Sequence, residues 1–149
     1  MRLVITIVLL ALLHFALGPL LEGWFAKPHL LLCAALLAAR QLRPTPAVIV
    51  GFVLGLLQDA MALSHFGLAT ILLVVMTYLA SQTRDLFLGE EPLFIGTYLV
   101  VGTWLYETIG YLLMGAGANP IFYLLLQVPL DSLATAAVGY LVLPLTRTR

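Results

Sequence analysis

This chain is short of almost everything that keeps a protein in water. Charged residues are 9% of its 149 residues and hydrophobic ones 62%, where a soluble domain carries about 25% charged. So few polar groups cannot cover a surface, and the solvent of such a chain is largely lipid. Seven basic and seven acidic residues cancel, and no two basic residues are adjacent. That excludes a basic nucleic-acid face and a polybasic patch for lipid headgroups. The single cysteine, Cys33, stands in an apolar run. It permits no disulfide within the chain and no cysteine-based metal spacing, and it reads as a packed structural thiol. Also missing are a Gly-x-Ser-x-Gly elbow, a His-Glu-x-x-His zinc pair and a glycine-rich phosphate loop. An aspartyl dyad of Asp59 and Asp131 would lack the Asn and Arg neighbours found in small membrane-embedded signal peptidases, since Gln58 and Ser132 stand there. The chain is therefore expected to be no enzyme and to bind no cofactor and no metal. There is no internal repeat and no low-complexity tract.

What is present is apolar sequence in blocks. Pro, Gly and charged punctuation divide it into six expected spans, 3–21, 24–39, 47–63, 67–81, 93–114 and 121–145, which make one transmembrane domain over 1–149. A helix needs about 20 residues to cross the bilayer core, so the first, fifth and sixth fit and the middle three are short. Pro28 cuts into the second, and Pro129 should disturb the sixth. The first run is longer than the roughly 7–15 residues of a signal-peptide core, which predicts a retained helix. Six spans place Arg2, Arg40, Arg43, Arg84, Arg147 and Arg149 on one side and Lys27 on the other. This asymmetry predicts cytoplasmic termini. Trp24, Tyr111 and Tyr123 then fall near the outer interface. Segment 82–91, with Arg84, Asp85, Glu90 and Glu91, reads as a solvated loop or as a docking surface for a cytoplasmic partner.

Ionisable residues inside apolar helices are costly and mark sites. His14, Asp59, Glu107 and Asp131 all fall at mid-depth or in the outer half of a core about 30 Å thick, which predicts convergence on one polar cavity. Repeats at four-residue spacing support this: Thr103, Glu107 and Tyr111 form one stripe, Gln127, Asp131 and Thr135 another, and Gly51, Gly55 and Asp59 a third. Such stripes turn inward, because lipid cannot satisfy them. The plainer reading is that each carboxylate only hydrogen-bonds a neighbouring helix, and that His14 is packed in the same way. His29 and His65 read as interfacial. Gly51-x-x-x-Gly55 permits close approach of another helix, and Asp59 lies beside that seam.

Segment 51–70 resembles the MreD family of the bacterial cell-elongation machinery. The resemblance rests on Gly51, Gly55, Leu56, Asp59 and Gly67 and on the general layout of the chain. The turn Ser64-His65-Phe66 is less polar than in many family members. The resemblance implies a non-enzymatic inner-membrane scaffold that binds MreC and helps control cell shape and peptidoglycan synthesis. It acts with RodA, a penicillin-binding transpeptidase and MreB, in contact with membrane lipid, and self-associates through or beside MreC. It also implies an all-α bundle similar to the six-helix substrate-binding subunits of energy-coupling-factor vitamin transporters. Gly51, Gly55, Asp59 and Gly67 are then the expected partner-binding residues, and His14, Glu107, Gln127 and Asp131 the expected polar cavity. A vitamin-type solute-binding subunit of a transporter is the competing expectation.

Overall fold

The computed structural model describes residues 2–21, 26–61, 66–83, 92–114 and 119–146, and every regular element among them is helical. Helices α1 (Arg2–Leu21), α2 (Leu30–Gln41), α3 (Pro44–Asp59), α4 (Leu68–Thr83) and α5 (Pro92–Met114) follow in order. The sixth helical stretch, α6, is continuous but composite: one turn at Pro120–Phe122, a π-helical segment at Tyr123–Gln127 and an α-helix at Val128–Thr146. Trp24, His65 and segment 84–91 lie outside the described residues.

Punctuation explains these boundaries. Pro44, Pro92 and Pro120 each stand at the start of a helix, where the missing N–H costs nothing and the fixed φ suits the first turn. Gly67 enters α4 at φ 96°, a backbone region open to glycine and strained for other residues. Pro129 lacks the donor that would continue the ladder, and the chain answers with the π-helical turn immediately before it.

The second span departs from expectation. Its helix begins at Leu30, not near residue 24, and has 12 residues. At 1.5 Å per residue it is about 18 Å long, well short of the bilayer core. It is nevertheless the centre of the molecule. Every residue from Leu30 to Ala39 is buried, and α2 packs against α1, α3, α4, α5 and α6. A helix that is apolar all round belongs in a core, and Ala34, Ala35, Ala38 and Ala39 let its neighbours approach closely. The fully buried Cys33 packs there as a free thiol.

The outside is apolar too. Leu12, Phe52, Leu112, Ile121 and Leu141 are all exposed. A surface with this many large hydrophobic side chains fits lipid and not water. Arg2–Leu20 and Pro120–Val142 are long and apolar enough to cross a membrane, and α5 has 23 residues.

Helices α3 and α4 form the closest pairing, and the glycine seam lies inside it. A Cβ at Gly51 would meet the Thr77 side chain and, at 2.9 Å, the Leu73 carbonyl oxygen. One at Gly55 would strike the Thr70 backbone, with its nitrogen at 3.1 Å. The face expected to receive a partner's helix is thus already filled by α4 of the same chain. The reason is local: two glycines one turn apart let the two arms of a short hairpin touch backbone to backbone.

Candidate functional site

The most consequential polar structure surrounds the four residues before α2. Residues 26–29 are not helical, yet they are packed among helices. Backbone N–H groups outside a helical ladder need other partners. The Lys27 N–H donates to Asp131 Oδ1 at 2.6 Å. The His29 N–H donates to Thr135 Oγ1 at 3.0 Å. Between them Pro28 has no N–H to satisfy. Asp131 and Thr135 are one turn apart on α6, so one helical face supplies both acceptors. The Thr135 hydroxyl donates in turn to the Asp131 carbonyl at 2.8 Å, which aims its lone pairs at His29. The first helical bond of α2 then runs from the Cys33 N–H to the His29 carbonyl at 2.8 Å.

The side chain of His29 completes the arrangement. Its Nε2 makes an ion-pair contact with Glu107 Oε1. Tyr123 donates its hydroxyl to Glu107 Oε2 at 2.6 Å, and the Tyr123 ring stacks on Tyr111 at 4.7 Å between centroids. Gln127 Nε2 lies 3.3 Å from each Asp131 carboxylate oxygen. The Tyr106 ring stands 5.8 Å from that of His29, and its hydroxyl accepts a bond from Gln58 at 3.1 Å. One donor atom from each of His29, Glu107 and Asp131 lies within 4.8 Å of the other two. Glu107 and Asp131 are 7% and 4% exposed.

Asp59 does something different. Its Oδ1 accepts the Ala69 N–H at 3.0 Å, and its Oδ2 accepts the Thr70 N–H at 2.9 Å and the Thr70 hydroxyl at 2.5 Å. These are first-turn donors of α4, which have no partner within their own helix. A carboxylate there satisfies them and complements the positive end of the helix dipole. Asp59, at the last residue of α3, therefore caps α4 from across the hairpin, and Gly67 provides the turn into the capped end.

Of the four groups expected to converge, the structure joins Glu107 and Asp131. His14 lines a cleft of about 180 Å³ with Gly18, Lys27, His29 and Gln58, beside the cluster. Asp59 belongs to the α3–α4 junction instead. Gln127 takes its expected place next to Asp131. His29, read from the sequence as interfacial, is the hub. The available signal was Pro28, which cuts an apolar run too short to span. On the outer surface, α5 and α6 form an open apolar groove of about 560 Å³ lined by Gly96, Thr97, Val100, Leu133, Ala136 and Tyr140 among others.

A family model described as rod shape-determining protein MreD matches residues 1–146. No curated protein and no solved structure matches the chain.

Proposed function

This chain belongs to the MreD family of rod shape-determining proteins, and we propose that it serves there as a non-enzymatic membrane scaffold that receives MreC. The family places it in the membrane and in the determination of rod shape. The partner surface is our reading, and the groove between α5 and α6 is the observation that carries it. Without a hydrophobic force between helices in lipid, association rests on close packing at small residues. Gly51 and Gly55 are occupied within the chain, whereas Gly96, Thr97 and Ala136 line a groove that is open to a neighbour. On this reading a transmembrane helix of MreC lies against α5 and α6. Through it the bundle is held near RodA, the transpeptidase and MreB, with both termini cytoplasmic.

The vitamin-type alternative finds less support. The cleft beside His14 is about 180 Å³, below the roughly 300 Å³ at which small-molecule pockets begin.

Gly96→Leu tests the surface. A Cβ at Gly96 meets nothing within 4 Å, so a side chain can leave the backbone there without a clash and extend into the groove that Gly96 lines. Co-purification of MreC in mild detergent should fall at least tenfold while the amount of variant in the membrane stays unchanged. Undiminished recovery of MreC would remove the groove from the model of assembly.

A further inference from the structure

The cluster before α2 has a property that hydrogen bonding leaves unresolved. Two carboxylates and one imidazole face one another in a buried site. With a neutral imidazole they sum to two negative charges, and with an imidazolium to one. The nearest basic residue in sequence, Lys27, lines the cleft beside His29 and acts on it electrostatically, but it is exposed, so solvent screens its charge. Uncompensated charge at this depth is costly. Among the described residues, Glu107 Oε1 is buried and accepts no hydrogen bond apart from its contact with His29.

We propose that His29, Glu107 and Asp131 bind one divalent transition-metal ion of the Zn²⁺ type, which fastens the start of α2 to α5 and α6. One divalent ion with a neutral imidazole balances the two carboxylates. One nitrogen and two carboxylate oxygens are a donor set that zinc-class ions accept, with a fourth position left open. The donor atoms already lie within 4.8 Å of one another, so assembly needs only small side-chain movements. Both carboxylates are also oriented from outside, Glu107 by the Tyr123 hydroxyl and Asp131 by Gln127 and the Lys27 N–H. Metal ligands characteristically carry such supporting bonds. The cleft lined by His14 and His29 offers a path in. This site stands apart from the MreC groove, and neither proposal depends on the other.

Cobalt(II) reports the site directly. The untagged full chain, purified in mild detergent and stripped with chelator, is titrated with Co²⁺. We expect one equivalent bound per chain, with visible ligand-field bands that Zn²⁺ abolishes and a thermal midpoint that rises with Zn²⁺. Glu107→Gln should weaken binding at least about a hundredfold. Tyr123→Phe keeps all three ligands and loses only a supporting bond, so it should bind about tenfold more weakly with the same spectrum. If Glu107→Gln does not fold, the parent titration and Tyr123→Phe decide. Bands no different from those of Co²⁺ in buffer, or equal affinity in Glu107→Gln, would overturn the site and leave a proton as the cluster's counter-charge.

Discussion

Two buried polar regions do the same kind of work over very different distances along the chain. At the α3–α4 junction, Asp59 holds N–H groups 10 and 11 residues ahead of it. At the start of α2, Asp131 and Thr135 hold N–H groups 104 and 106 residues behind them. Both regions satisfy backbone donors that lipid would leave bare. The first finishes a hairpin that one segment forms by itself. The second fixes a broken element onto helices that follow much later, so it exists only once the whole bundle is assembled. One carboxylate closes a local unit, and the other closes the fold.

The hairpin is where a single change should do the most damage. Gly55→Leu drives a side chain into the Thr70 backbone, which cannot yield as a flexible side chain would. We expect a loss of about 3 kcal/mol or more, read as a large drop in the thermal midpoint in detergent and in the amount of protein in the membrane. A variant as stable as the parent would show that α3 and α4 pack less closely than described.

Exchanging each aspartate for asparagine sharpens the contrast. Asp59 receives three donors on its two oxygens. Asp59→Asn turns one acceptor into a donor that faces other donors, with an expected cost of about 2–3 kcal/mol. Asp131→Asn keeps an oxygen for the Lys27 N–H, and the Gln127 amide can reverse to meet the new NH₂ group. In metal-free protein that exchange should cost about 1 kcal/mol or less and preserve assembly with partners. Equal losses at the two positions would mean that the negative charge of Asp131 matters more than its geometry.

The same contrast explains what the sequence makes legible. Glycines and prolines punctuate the chain, so the two helices of the hairpin are legible, as is the proximity of Asp59 to the turn at Gly67, but the ends of α3 are not: it runs Pro44–Asp59 where 47–63 is expected. The stripe Gln127, Asp131, Thr135 was readable as inward-facing. What it faces was not, because a short non-helical segment leaves no periodic trace and its acceptors lie over 100 residues away. Within 24–39 the break shows only as the short polar step Lys27-Pro28-His29. The glycine seam was readable as a close contact, but a small-residue pattern does not say whether the approaching helix belongs to the same chain.

Pro28 carries an effect about as small as that of Asp131→Asn and isolates the reason for the break. Between the N–H groups of Lys27 and His29, each with its own acceptor on α6, it is the one residue that brings no donor. Pro28→Ala adds an N–H beside acceptors that are already engaged and frees the φ angle that proline restricts. An unpaired donor costs about 1–3 kcal/mol when it is fully buried. Residue 28 is half-buried and lies against the cleft, where water can reach it, so the lower end, about 1 kcal/mol, is expected. Hydrogen exchange should show that amide exchanging fast while the α2 interior stays protected. If Pro28→Ala instead extends α2 toward its N-terminus and protects residues 27–29, proline alone interrupts the helix. In that case the Asp131 and Thr135 contacts accommodate the break and do not create it.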